Sequence, residues 1–86
     1  MWIVYLIQNT TTKQIYIGRT NNLKRRLNEH NHGRQKATKR KTGEWLLIYA
    51  EVYRNKQDSV RRESRLKNHG RAKQELVRRI EQSLIV

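Results

Sequence analysis

Apolar residues fall into short runs along the chain, and the period within each run predicts its element. Trp2-Ile-Val-Tyr-Leu-Ile7 is a block of β-branched and aromatic residues and predicts a strand. Asn9-Thr-Thr-Thr-Lys-Gln14 is a polar turn, and Ile15-Tyr-Ile-Gly-Arg19 is a second short strand, close enough for an antiparallel hairpin. A loop of Asn9 to Thr12 would pair Gln8 with Lys13 and set Tyr5 directly opposite Tyr16. Any register that pairs odd with even positions puts both phenols, and Gly18, on one face. There the missing Cβ of Gly18 leaves room for a backbone or ligand to approach closely.

The period then changes. Leu23, Leu27 and His30 recur at i, i+4, i+7, predicting a helix capped by Asn21 or Asn22 and running to about Asn31, with Gly33 as its stop. Residues 34–44 have no apolar periodicity and predict a basic loop. Trp45-Leu-Leu-Ile-Tyr-Ala-Glu-Val-Tyr53 is the third strand, expected to be the most buried. Asn55 caps a helix from about Lys56 to Asn68 with Gly70 as its stop, and a last helix runs from Arg71 to about Ser83 with Ala72, Leu76 and Ile80 on one stripe. The tail Leu84-Ile-Val86 is expected to dock on the core. The order ββαβαα predicts an α+β fold, a three-stranded antiparallel sheet flanked by helices in a single domain over residues 1–86.

Charge narrows the class of partner. Twenty Lys and Arg face seven Asp and Glu in 86 residues, a formal net charge of +13. Nine of the basic residues lie between Arg19 and Lys41, where Glu29 is the one acid. Such a field attracts polyanions, because each phosphate neutralised releases condensed counterions. The segment lacks the broad apolar face that would insert beneath lipid headgroups, so nucleic acid is preferred to a membrane surface. No cysteine is present, which excludes a disulfide framework, a thiolate metal cluster and a Cys nucleophile. The longest apolar run is too short to span a bilayer and no basic stretch precedes it, so a cytoplasmic protein is expected. A zinc site is not expected: His30 and His32 are two apart and would point to different sides of a helix.

Several positions together resemble a known family. Val4-Tyr5-Leu6, then eleven residues from Tyr to Tyr, then Tyr16-Ile17-Gly18, look like the paired motifs of the GIY-YIG nucleases. The likeness continues through Arg19, Leu23 and Arg26, His30, Trp45 at the start of the third strand, and Glu63 with Lys67 in the following helix. It covers about residues 3 to 80. The first motif departs from the family name at Val4 and Leu6, and Asn68 is not at the separation usual for the family's downstream Asn.

The resemblance implies the GIY-YIG fold and hydrolysis of phosphodiester bonds, with Tyr5, Tyr16, Arg26, His30 and Glu63 as the catalytic set. Such chemistry needs an activated water, neutralised charge on the phosphorane and help for the departing 3′ oxygen. Tyr5 is the expected general base or relay, with Arg26 and Arg19 supplying a cationic field that favours phenolate and gripping the phosphate. Tyr16 would orient phosphate or water, and His30 would hydrogen-bond Tyr5. Which phenol is the base rests on the resemblance more than on spacing. Glu63 would hold one Mg²⁺ or Mn²⁺, although the plainer expectation for Glu63 is an i,i+4 pair with Lys67. Phosphate contacts are expected from Arg19, Lys24, Arg25, Arg34, Lys36, Lys39, Arg40, Lys41 and Lys67. The expected substrate is DNA, single-stranded or branched in preference to intact duplex, with Trp45 or Tyr53 stacking an unpaired base if exposed. The chain leaves no room for a separate targeting domain, so a partner protein is one route to target choice, and a monomer or weak dimer is expected. The alternatives are a catalytically silent nucleic-acid-binding module on the same fold and, on charge alone, an RNA or ribosome-associated binder.

Overall fold

The computed structural model describes residues 1–33 and 43–86. Its elements are strands β1 (Trp2–Asn9) and β2 (Ile15–Thr20), helix α1 (Leu23–Asn31), strand β3 (Trp45–Tyr53), and helices α2 (Lys56–Asn68) and α3 (Gly70–Arg79), followed by a 3₁₀ turn at Glu81–Ser83. The strands form one antiparallel sheet in the order β2-β1-β3. The fold is therefore the expected α+β arrangement. No helix among the described residues is long and apolar enough to cross a membrane.

The centre of the sheet is β1, not β3. Pairing on both sides and cover on both faces leave Val4 to Asn9 buried, whereas β3 is an edge strand with Leu46, Leu47 and Val52 exposed. Alternation along β1 sends its side chains into two cores. Val4 and Leu6 pack with Ile17, Leu66 and Leu76 beneath α2 and α3, while Tyr5 and Ile7 pack with Trp45, Leu23 and Leu27 beneath α1. Helices thus cover both faces. The stripe of Ala72, Leu76 and Ile80 faces the first core as its spacing predicts.

The hairpin register differs from the expected one by two residues. Tyr5 pairs with Gly18, Ile7 with Tyr16 and Gln8 with Ile15. The longer turn has a local cause: the Asn9 side chain accepts from the backbone N–H groups of Thr11 (2.9 Å) and Thr12 (3.0 Å), and Lys13 takes a φ of 66°. Odd still pairs with even, so both phenols and Gly18 share the α1 face.

Helix ends follow their caps. Asn22 accepts from the N–H of Arg25 and Asn55 from that of Gln57, and Gly33 leaves α1 at a φ of 68°. Gly70 is not the stop of α2 but the first residue of α3; the break is extended His69, which ends one helix and begins the next. α3 is shorter than expected and tightens into the 3₁₀ turn. The tail docks as expected, with the Gln8 side chain exchanging two hydrogen bonds with the backbone of Ile85.

Candidate active site

Two layers of the fold meet around the outer edge of β2. On the α1 face, Tyr5 and Tyr16 project toward His30, which the Leu23-Leu27 stripe carries into the core. The Tyr5 hydroxyl and His30 Nε2 share a hydrogen bond of 2.8 Å in buried surroundings, and the Tyr16 ring meets the imidazole edge-on at 4.9 Å between centroids. Gly18 is what lets the Tyr5 ring lie across β2. A Cβ there would fall 2.9 Å from Tyr5 Cε1 and closer still to Cζ and the hydroxyl oxygen. The close approach that the glycine permits is that of the phenol itself.

On the other face, Arg19 donates through Nε to Glu63 Oε1 (3.3 Å), and Lys67 Nζ lies 3.0 Å from Oε2. The i,i+4 pair is therefore present, and Arg19 adds a second cation to the same carboxylate. Lys67 also reaches round the strand edge, with Nζ 5.8 Å from the centre of the Tyr16 ring. The two arginines expected to act as a pair are thus divided. Arg19 belongs to the Glu63 side, while Arg26 lies beside Tyr5 and donates to Glu29 Oε1 at 3.1 Å. Arg26 Nε is buried with no hydrogen-bond partner among the described residues, a costly state for a donor.

The electrostatics correct one expectation. Burial, reinforced by Tyr16, pushes the Tyr5 phenol well above its ordinary range, and Arg26 only partly opposes this. The resting phenol is therefore protonated. Burial and then Arg26 lower His30 to about 4, so the imidazole is neutral at pH 7.

Glu63 is the carboxylate available to a divalent cation here; among the described residues no group of three or more His, Cys, Asp or Glu converges. One carboxylate suits a Mg²⁺ or Mn²⁺ that keeps most of its waters and takes phosphate oxygens. Lys67 is half-exposed and such a surface i,i+4 pair is weak, so an ion that displaces it fits the donor set.

The other expected phosphate contacts are placed unevenly. Lys24 and Arg25 lie on the outer face of α1, where they line a depression of about 770 Å³ with Leu27, Asn28 and His32, away from the tyrosines. Arg34, Lys36, Lys39, Arg40 and Lys41 lie outside the described residues. Neither expected stacking residue is exposed: Trp45 is 2 % exposed, and Tyr53 is partly buried against the first core. Sequence reasoning missed Trp2, whose ring has Arg19 at 5.2 Å and Lys56 at 5.0 Å. It also missed Glu29 as the partner of Arg26. The signals were there, an aromatic two residues before Val4 and an acid three after Arg26.

The GIY-YIG catalytic domain profile matches residues 1–77. The chain is 29% identical over 85 residues to a UPF0213 protein of Vibrio campbellii, covering 99% of this chain and 79% of that one. It is 42% identical over 59 residues to an uncharacterized protein of Acanthamoeba polyphaga mimivirus, a match covering 64% of this chain and 36% of the viral protein's length. The solution NMR structure of a UPF0213 protein from Bacillus halodurans superposes with a TM-score of 0.55 at 26% identity, covering 90% of this chain and 82% of the other.

Proposed function

We propose a function from one premise: the chain belongs to the GIY-YIG family. That is a nuclease family, and the reading we draw for this member is a divalent-metal-dependent DNA endonuclease that prefers single-stranded or distorted DNA. The observation that carries it is the convergence on the edge strand β2 of the Tyr5–His30 hydrogen bond and Arg26 from one face and the Glu63 carboxylate from the other.

In this reading Tyr5 is a relay rather than a preformed phenolate. Neutral His30, with Nε2 unprotonated, accepts the phenol hydrogen bond. As water attacks phosphorus, its proton passes to the Tyr5 oxygen while the phenol's own proton passes to His30, leaving an imidazolium; the bond from phosphorus to the 3′ oxygen breaks, and the departing alkoxide takes its proton from solvent water. Negative charge growing on the phosphorane makes that transfer easier than in the resting site. Arg26 donates to a non-bridging oxygen, and Tyr16 orients the attacked group. Arg19 holds Glu63 in place, Lys67 gives up its oxygen, and Glu63 would hold the cation, which would supply charge neutralisation at the phosphate. The substrate preference is supported by a site beside β2, whose outer side pairs with no further strand among the described residues, not by base stacking on Trp45 or Tyr53.

A second reading, a silent nucleic-acid-binding module, is favoured by one observation: cations already occupy both Glu63 oxygens. One experiment separates the two. Purified wild type, Glu63→Ala and Tyr5→Phe are incubated with matched single-stranded, duplex and branched oligonucleotides plus Mg²⁺ or Mn²⁺, with and without chelator. The nuclease reading expects chelator-sensitive cutting by wild type, none by Glu63→Ala with DNA binding kept, and slow cutting by Tyr5→Phe. Unchanged DNA behaviour in Glu63→Ala sinks it, and preferential cutting of plain duplex sinks the substrate preference.

A further inference from the structure

The flank of α2 opposite the Glu63–Lys67 pair carries a second cationic feature that phosphodiester cleavage does not use. Arg62 and Arg65 of α2, His69 at the junction, and Arg71 and Arg79 of α3 line a cleft of about 310 Å³, with buried Leu76 closing it and Glu75 also in the lining. From this we infer that the α2–α3 cleft is a second phosphate site, which takes a backbone phosphodiester of a nucleic-acid strand.

Four guanidiniums share the cleft, and their charges are only partly cancelled. Glu51 neutralises Arg62, and Glu75 pairs loosely with Arg71 at 3.7 Å between two exposed side chains. Arg65 and Arg79 have no ion-pair partner among the described residues. Like charges gathered in one concave site repel each other until an anion enters, and forked N–H donors match phosphate oxygens.

The cleft is also preorganised. Arg62 is held through Nε and Nη2 by the Glu51 carboxylate, at 3.0 Å to Oε1 and 2.9 Å to Oε2, and Glu51 is itself fixed by the hydroxyls of Tyr49 (2.6 Å) and Tyr53 (2.5 Å). Among the described residues Arg62 Nη1 has no acceptor, so a rigid donor remains for a ligand. α3 starts at this cleft without a side-chain cap, and the N–H groups of Gly70 and Arg71 add to the positive field.

A strand is favoured over a free anion by position. Glu63 and Arg65, two residues apart, lie about 200° apart round one helix about 10 Å across, a distance that a few nucleotides of a strand bridge. A strand bound at the β2 edge can cross α2 and set a later phosphate in the cleft.

The test measures binding without metal, so an inactive wild type leaves it interpretable. Fluorescence anisotropy with a labelled single-stranded DNA of about twelve nucleotides in EDTA compares wild type with Arg65→Gln/Arg79→Gln. Neither residue carries an ion pair, so the fold is kept, which thermal melting checks. The control is Lys73→Gln/Arg78→Gln, which removes the same charge from a different depression beside Val77. The expected result is about a tenfold loss of affinity for the cleft variant, with the salt slope smaller by about 0.7, the value for one lost phosphate contact on a single strand. Equal losses in both variants mean bulk charge alone and overturn the site, as does no loss in either. Loss of binding to phosphatidylserine vesicles with DNA affinity intact also overturns it, and would make the cleft a lipid-headgroup site.

Discussion

Gly18→Ala tests how the site is built. The added Cβ would sit 2.9 Å from Tyr5 Cε1 and nearer still to Cζ and the hydroxyl oxygen, so something must move. The Tyr5 ring has two ways out. Leaving its slot forfeits the burial of an aromatic ring, about 3–5 kcal/mol by analogy with buried aromatic truncations, together with about 1 kcal/mol for the bond to His30. Alternatively β2 can pull away from β1, an overpacking strain of about 1–3 kcal/mol. The strands therefore yield first, and with the distorted hydroxyl bond the cost is about 2–4 kcal/mol. For a domain of this size a loss of about 3 kcal/mol lowers Tm by roughly 12–24 °C. Urea unfolding followed by circular dichroism measures it. A double-mutant cycle locates the cause. Tyr5→Phe removes only the hydroxyl, so Gly18→Ala stays costly in that background. Tyr5→Leu removes the ring, and there alanine is neutral or slightly stabilising, because glycine is intrinsically unfavourable in a strand by about 0.5–1 kcal/mol. An equal cost in the wild-type and Tyr5→Leu backgrounds, or no cost in wild type, refutes the reasoning.

Four further outcomes are expected. His30 titrates at about 4 when folded against an ordinary 6.5, so its contribution is fully present above pH 6.5 and is lost as the pH falls through 4. The full window is worth about 3 kcal/mol, and His30→Gln should remove about 2 kcal/mol of the wild-type stability change between roughly pH 6.5 and 4.5 in urea midpoints; parallel curves would contradict this. Burial first and the Glu51 carboxylate second push the Tyr53 phenol up to about 12, so Glu51→Gln should bring it back toward 10 in an ultraviolet titration. The same variant leaves Arg62 without its carboxylate and should lose about 2–3 kcal/mol in urea unfolding, an effect that Arg62→Gln should not add to. Lys67 competes with a cation for Glu63, and removing a half-exposed pair worth about 0.2–1 kcal/mol should tighten Mn²⁺ binding roughly 1.5- to 5-fold in Lys67→Met, read by calorimetry. Weaker binding would mean that Lys67 is not in competition.

What the sequence reveals here is periodicity, and what it conceals is register and depth. Leu23, Leu27 and His30 lie on one helical face whatever else happens, so the burial of His30 was legible. The shared face of Tyr5 and Tyr16 was legible too, because it depends only on odd–even pairing. Their actual offset was not, since it is set by a side-chain hydrogen bond from Asn9 that a run of threonines does not announce. The burial of β1 over β3 follows from strand order, and on paper β3 is the more apolar of the two. Gly70 misled because glycine marks helix ends by its positive φ, and here extended His69 makes the break instead. The division of Arg19 from Arg26 was readable in principle: Arg19 alternates with Gly18, and so cannot share the face of Tyr16. The Glu51–Arg62 lock was not readable, because eleven residues and a turn separate its halves.

That alternation explains why the candidate site lies at a strand edge at all. Tyr16, Gly18 and Thr20 face α1, while Ile17 and Arg19 face α2, so a single sheet face cannot gather both phenol and carboxylate. At β2, whose outer side carries no further strand among the described residues, groups from both layers approach one another. Lys67 demonstrates the reach, touching Glu63 on one side and the Tyr16 ring on the other. A phosphodiester seated there would run along the edge, with Arg26 and Tyr5 on one side and Glu63 on the other. Covering that edge should therefore block binding and cutting together. Extending β2 by an engineered strand, with every named residue intact, should abolish cleavage if the phosphate sits at the edge, and leave it unchanged if the substrate enters over either sheet face.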